Sequence, residues 1–358
     1  CFEDKQKAEI KWGINDLIKF FEWQSNTRDR KYFQENSKII FYGGEPLLEQ
    51  TLIEEVIKKT KNLPFDFGLQ TNGTLLDKVS DFILDNTNLI SVSIDGSKET
   101  HDRNRYFKGG NGSYDLIINN LNSVKKRYDK RVLARITVPI TPNYDFLKEI
   151  KSVIDTGLFT DYHWQLETPI QRKLTETDIQ LFLKNYVSSM KGVVNLWLSE
   201  MKKGNMLNII PFETAVKSII SDELVVDLRA NDLYTIKKEA KGICGCGDKL
   251  VVIDTDGMCY PCDTIVGHKD EIIGDIWKGV NPKQFIEKNE FMVYGMFKGC
   301  PRRVIKSDIQ IAYTKEADGC PLISNRSPDF YCQSAGGFIG EIKENMKDIL
   351  TMNPKGFF

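Results

Sequence analysis

Seven of the eight cysteines fall between Cys244 and Cys332, and thiols at that density are the residues of this chain best suited to chemistry. Cys244-x-Cys246 leads; ten residues separate Cys246 from Gly257 and four more separate Gly257 from Cys262, with Cys259 between them. Cys300, Cys320 and Cys332 complete the set. Tight C-x-C and C-x-x-C pairs favour metal over cross-links, the more so because the chain before Cys244 holds a single cysteine, Cys1. Four thiolates bind tetrahedral zinc well, and the same thiolates hold iron–sulfur clusters, so spacing alone leaves both metals open. The three histidines, His101, His163 and His268, are too scattered for a mononuclear histidine site, and His163 in "YHWQ" reads as a packed strand residue.

Those thiols need a scaffold, and the first half of the chain reads as one. Strands are predicted at 38–42 ("KIIFY"), 65–70 ("FDFGLQ"), 89–95 ("LISVSID"), 132–138 ("VLARITV") and 161–167 ("DYHWQLE"). All are mostly β-branched or aromatic runs bounded by turn residues. Helices are predicted near 46–61, 75–86, 113–127 and 144–155. Pro46 suits the opening turn of the first, whose Leu48, Leu52, Ile53 and Val56 share a face. Such alternation implies an α/β fold of parallel β/α units, either an open sheet or a partial barrel. A helical stretch follows, as in "TETDIQLFLKNYVSSM" (175–190), before the cysteines begin.

In parallel β/α folds the chemistry sits at the carboxyl ends of the strands. "GGEP" follows the first strand, "TNG" (71–73) the second, "DG" (95–96) the third, and "PN" (142–143) lies past the fourth. Consecutive glycines let a ligand reach backbone amides and carbonyls with no Cβ in the way, although a Gly-Gly turn also serves as a plain tight connection. Neither a phosphate-loop lysine nor a G-x-G-x-x-G follows a strand, so the common nucleotide fingerprints are absent.

The 358 residues are 41% hydrophobic and 28% charged, ordinary for a globular protein with one large and one smaller domain. Lys and Arg number 49 against 50 Asp and Glu, a net charge of -1 that disfavours bulk nucleic-acid binding. No run approaches the ~18 apolar residues a membrane helix needs. With no leader read at its start either, the expectation is a cytoplasmic protein with no membrane partner.

Taken together, "YGGEP" after a strand, "QTNG", "SIDG" followed by "HDRNR" and "GNGSYD", and a C-terminal C-x10-G-x4-C with later cysteines resemble the radical S-adenosylmethionine (SAM) enzymes that carry a SPASM domain. The resemblance runs from Cys1 to about Cys332, and "HWQLE", "IIPF" and the order of the blocks look most like the peptide-modifying maturases of that group. It implies a partial (β/α)6 radical SAM barrel over residues 1–170, a helical linker region over 171–240, a SPASM-type cysteine-rich domain over 241–340 and a C-terminal helix or tail over 341–358. It also implies a reaction. A 4Fe–4S cluster, fed by a donor such as flavodoxin or ferredoxin, reduces SAM to methionine and a 5′-deoxyadenosyl radical, which takes a hydrogen from a residue of a bound peptide or protein. A thioether, a carbon–carbon crosslink, an epimerised residue and an oxidised side chain are all compatible products.

By the resemblance, the backbone of the GGEP turn receives the amino group of SAM, which makes Gly43, Gly44 and Glu45 SAM-binding. Ser93 sits where the family places a ribose contact, and Gln165 and Leu166 flank the adenine. Arg135 suits the SAM carboxylate, since a guanidinium binds carboxylate bidentately; a surface charge on an edge strand is the alternative. Asp263, directly after Cys262 in "YPCDT", matches an aspartate that acts as base in the sulfatase maturases; a turn-forming Asp is the plainer reading.

Both cysteine motifs depart from the family. Of the C-x3-C-x2-C set that holds the radical cluster, only the third position is present, as Cys1 of "CFED", and the expectation is that the other two precede it. The usual C-x2-C-x5-C-x3-C run is also missing, because nineteen residues without cysteine separate Cys300 from Cys320, and Glu316 stands where a cysteine is expected. One auxiliary cluster can draw on Cys244, Cys246, Cys262 and Cys320. A second has only Cys300, Cys332 and Cys259. The rivals are a radical SAM enzyme acting on a protein side chain, as sulfatase maturation does, and a zinc-bearing scaffold without catalysis.

Overall fold

The structure is a computed structural model that describes residues 10–26, 37–167, 175–213, 216, 250–281, 342 and 345–352. They fall into two compact units. The first contains helix α1 (Ile14–Asn26), strand β1 (Ser37–Phe41), helix α2 (Gln50–Thr60), nearly all of strand β2 (Phe65–Thr71), helix α3 (Asp81–Asn86) and the segment 250–281.

In this first unit β1 and β2 pair in parallel, Ile39 opposite Phe67 and Phe41 opposite Leu69. The Phe41 and Phe67 rings stack 6.1 Å apart. The helix expected over 46–61 is two elements. A 3-10 turn (Pro46–Glu49) opens it and α2 follows. Tighter winding changes which leucine faces inward, so Leu47 is buried while Leu48 is 67% exposed. Ile53, Val56 and Ile57 then line the buried face of α2. The predicted helix 75–86 is likewise broken, into a turn (Leu76–Lys78) and α3, because Ser80 caps α3 by accepting the Ile83 N–H at 3.3 Å.

Segment 250–281 folds into four short antiparallel strands, β7 (Val252–Ile253), β8 (Met258–Tyr260), β9 (Gly274–Asp275) and β10 (Gly279–Val280). Gly257 closes the β7–β8 turn, donating its N–H to Asp254 O at 3.0 Å. The segment shares a core with N-terminal elements: Leu17, Phe20 and Phe21 of α1 and Val56 of α2 pack with Cys259, Ile265, Ile273 and Ile276. Trp12 Nε1 donates to Asp254 O at 3.1 Å, tying the chain before α1 to the same hairpin.

The second unit contains β3 (Thr87–Ser93, from Leu89), β4 (Arg131–Val138), β5 (Asp161–Leu166) and β6 (Asn208–Ile209), paired in parallel in that order. Its helices are α4 (Lys98–Asn104), α5 (Tyr114–Lys125), α6 (Phe146–Asp155) and α7 (Glu176–Lys202). Helix α7, 27 residues long, lies in the region read as a helical linker, and its Phe182, Tyr186, Met190 and Trp197 are wholly or nearly wholly buried. Its start is fixed by a capping box between Thr175 and Asp178.

Strand alternation divides this unit. Ile90, Val92, Ala134, Ile136, Val138, Tyr162, Trp164 and Leu166 form one buried apolar face. Trp164 meets the Phe146 ring of α6 at 4.9 Å and donates from Nε1 to Tyr186 Oη of α7 at 2.9 Å. The other face is largely polar. No helix among the described residues is long and apolar enough to cross a membrane.

Two glycines of the small antiparallel sheet separate conformational strain from steric conflict. Gly267 and Gly274 both have positive φ, but a Cβ on Gly267 meets open space whereas one on Gly274 meets Val280 Cα at 2.8 Å and the Gly279 carbonyl. Gly267→Ala should therefore cost about 1 kcal/mol, and Gly274→Ala about 3 kcal/mol or more, because backbone cannot move aside. Urea midpoints for the two variants check this, and equal losses would contradict it.

Candidate active site

The turn after β1 presents bare backbone. Gly43 has φ +149 and no atom within 4 Å of the position a Cβ would take, so its peptide groups are open to a ligand. The Glu45 carboxylate accepts the Leu47 N–H at 3.1 Å, capping the following turn with Pro46 in its first position. Glu45 thus fixes the shape of the glycine turn. Lower in the same unit, Cys262 and Asp263 are adjacent in space as well as sequence, with the Cys262 thiol donating to Asp263 Oδ1 at 3.3 Å. Asp263 opens a short 3-10 turn (Asp263–Ile265).

Cys259 is fully buried in the core that holds Leu17, Phe20, Phe21 and Ile273, and burial pushes its thiol up to about 12. Cys1, Cys244, Cys246, Cys300, Cys320 and Cys332, with Glu316, lie outside the described residues. Among the described residues no group of three metal-ligating side chains occurs.

In the second unit, period-two alternation puts Ser93, Arg135 and Gln165 on the polar strand face, and Leu166 on the opposite apolar one, where it is buried. The parallel register sets Ser93 opposite Arg135 and Arg135 opposite His163, with Gln165 two residues further along β5. Arg135 lies on an interior strand, which removes the edge-strand reading. One guanidinium nitrogen is 3.0 Å from His163 Nδ1, and the other donates to Gln165 Oε1 at 2.9 Å. Because a guanidinium has only donors, His163 Nδ1 accepts and its proton sits on Nε2. His163 and Gln165 thus both bond Arg135 across the β4–β5 pairing. Deeper on the same face the Ser91 hydroxyl is buried without a hydrogen-bond partner.

The sequence reading missed a network just past β3. Asp95, 3% exposed at its side chain, takes two bonds from Arg105, 2.8 Å from Nε and 3.1 Å from Nη2, and a third from the Thr137 N–H at 3.0 Å. His101 is fully buried beside it: Nδ1 accepts the Asp95 N–H at 3.2 Å. Its Nε2 lies 2.9 Å from Ser113 Oγ, whose hydroxyl donates to Arg105 O, so the proton sits on Nε2. "SIDG", "HDRNR" and "GNGSYD" supply all of these residues but Thr137, and the signal lay in those blocks. By this network the carboxyl end of β3 is fastened to β4, where Ser93 and Arg135 stand.

Residues 28–153 match the model of the radical SAM superfamily. Over that segment the chain is similar to radical SAM domains. Among curated relatives, the cysteine-type anaerobic sulfatase-maturating enzyme of Clostridium novyi is 28% identical over 65% of this chain and 60% of its own length. The enzyme of the same name from Clostridium perfringens strain 13 is 25% identical over 82% of this chain and 78% of its own. Among solved structures, anSMEcpe with bound AdoMet and Kp18Cys peptide aligns with a TM-score of 0.60 and 20% identity, covering 94% of this chain and 90% of that one. The α/β fold with parallel strands is thereby shared. Radical SAM domains draw their chemistry from SAM and an iron–sulfur cluster. Each unit by itself holds groups of a kind SAM can use: an open glycine backbone in the first, and in the second a polar strand face with a guanidinium and a buried hydroxyl lacking a partner.

His101 makes the network sensitive to acid. Burial, aided by the Arg105 charge and opposed by Asp95 and Asp102, lowers its pKa from 6.5 to about 4. A base with a lowered folded-state pKa stabilises fully above its unfolded pKa, and that stability is lost as pH falls from about 6.5 toward 4. Between pH 7.5 and 5 the loss should be about 2 kcal/mol. Urea unfolding at both values, with His101→Asn as the reference that cannot titrate, checks this; parallel losses in the two proteins would contradict it.

Proposed function

We propose that the chain is a radical SAM enzyme that modifies a residue of a peptide or protein. The observation that carries this reading is the match of residues 28–153 to the radical SAM superfamily, the segment that holds the GGEP turn, Ser93 and Arg135. SAM bound beside a reduced 4Fe–4S cluster supplies hydrogen-atom abstraction from the substrate. The residues of the chain position it. The open backbone of Gly43 and Gly44, with Glu45 fixing the turn, receives the amino group, Arg135 pairs with the carboxylate, and Ser93 approaches the ribose. The apolar face that includes Leu166 supports the strands from behind.

Asp263 is the proposed base. A carboxylate is the residue type able to take the proton that a substrate releases when it is oxidised, and an auxiliary cluster, which Cys262 would hold with Cys244, Cys246 and Cys320, would supply an acceptor for the electron left behind. The relatives named as sulfatase-maturating enzymes favour a side chain of a protein or peptide as the substrate. Electrons enter from a small donor such as flavodoxin or ferredoxin.

The test is anaerobic reconstitution of a form carrying the full C-x3-C-x2-C motif, followed by SAM, reductant and a cysteine-containing peptide. Iron and sulfide should rise by about four each over the chain without that motif, as one cluster requires. 5′-Deoxyadenosine should appear together with a change in peptide mass. Zinc in a colourless protein, with no 5′-deoxyadenosine, would support a non-catalytic scaffold instead. Asp263→Asn should keep iron content and 5′-deoxyadenosine release while lowering modified peptide about 100-fold or more; unaltered product formation would remove Asp263 from the mechanism.

A further inference from the structure

We infer that Arg105 is a substrate-binding residue, donating from Nη1 to a backbone carbonyl of an extended peptide; this rests on the function proposed above. A guanidinium carries five N–H groups, and three of those on Arg105 are committed within the protein. Nε donates to Asp95 Oδ2 at 2.8 Å, and Nη2 donates to Asp95 Oδ1 at 3.1 Å and to Thr137 Oγ1 at 3.3 Å. The two N–H groups of Nη1 meet no acceptor among the described residues, and the Arg105 side chain is 31% exposed. The buried partner decides what they suit. Asp95 lies close enough to cancel the guanidinium charge, and a carboxylate or phosphate arriving at Nη1 would meet Asp95 as well, whereas a neutral acceptor would not be repelled. A peptide offers such an acceptor, the backbone carbonyl, at every residue.

The place and the rigidity of the group support this. Thr137 lies near the carboxyl end of β4, on the polar face that carries Ser93, and its hydroxyl holds the guanidinium there. The Asp95 carboxylate accepts the Thr137 N–H at 3.0 Å, the Asp95 N–H donates to His101 Nδ1, and Ser113 Oγ donates to Arg105 O at 2.7 Å. A donor fixed before its ligand arrives loses little freedom on binding. Directly after Arg105 the chain exposes two aromatic side chains, Tyr106 at 65% and Phe107 at 39%. They stand on a hairpin closed by the Tyr106–Gly112 bridge and by the Phe107 N–H, which donates to Asn111 O at 2.9 Å. Such a combination suits a peptide, whose backbone takes the hydrogen bond while its side chains rest on apolar surface.

The test follows modification of the cysteine-containing peptide by the cluster-loaded protein. Arg105→Lys keeps a cation for Asp95 but lacks the Nη1 donors; it should raise the peptide KM about tenfold and change kcat less than about threefold. The double variant Asp95→Asn/Arg105→Gln, which removes the buried charge together with its partner, should raise KM similarly. Replacing the peptide's backbone amides by esters, one at a time, weakens one carbonyl acceptor in each. With the parent protein one position should lose about fivefold more in kcat/KM than the others, and with Arg105→Lys that position should lose no more than its neighbours. An unchanged KM in both variants would overturn the inference and leave the proposed function standing. A raised KM with the same ester profile in parent and Arg105→Lys would show that Arg105 acts only through the fold, and would overturn it too. A parent protein that leaves the peptide mass unchanged and releases no 5′-deoxyadenosine would overturn the proposed function and this inference together.

Discussion

The period-two alternation of β3, β4 and β5 is the constraint on which the rest depends. One set of side chains, from Ile90 to Leu166, is apolar and buried against α6 and α7; the other carries Ser91, Ser93, Arg135, Thr137, His163 and Gln165. A slip of one residue would exchange the faces, driving Arg135 into the aromatic cluster of Phe146, Trp164 and Tyr186. Burial on the helix side therefore enforces the register, and the register brings His163 and Gln165 to Arg135. The same pairing is divided along the strands: Arg131 and Asp161 lock the amino ends, and Arg135, midway along β4, bonds His163 and Gln165.

A second dependence runs through the turn after β3. Asp95 collects Arg105 and the Thr137 amide, and His101 bonds the Asp95 amide, so a loop rich in glycine and charge is held as rigidly as a strand. The network is neutral at His101 and ionic at Asp95, and this combination is stable only above the acid range in which a buried imidazole must gain a proton.

Much of this was legible in the residues themselves. The five long strands declare their places through β-branched and aromatic runs, and the GGEP turn announces an open backbone. Local winding was less legible. Leu48 and Leu47 exchange places because Glu45 and Pro46 begin a 3-10 turn rather than an α-helix, and Ser80 in "VSDF" caps a new helix where the apolar pattern alone runs on. Partnerships set by register could not be read. Nothing in "HWQLE" says that its histidine and glutamine will meet an arginine about thirty residues earlier, since that requires the β4–β5 alignment. The core shared by α1 and segment 250–281 is of the same kind: Phe20 and Cys259 are far apart in the chain, and only folding shows that they pack together.

The most direct measurement is a crystal structure of the cluster-loaded protein with SAM. The account predicts the SAM carboxylate at about 3 Å from the Arg135 guanidinium, with the His163 and Gln165 bonds retained and the amino group over the Gly43–Glu45 backbone. A carboxylate bound elsewhere, with Arg135 beyond hydrogen-bond reach of the ligand, would contradict it.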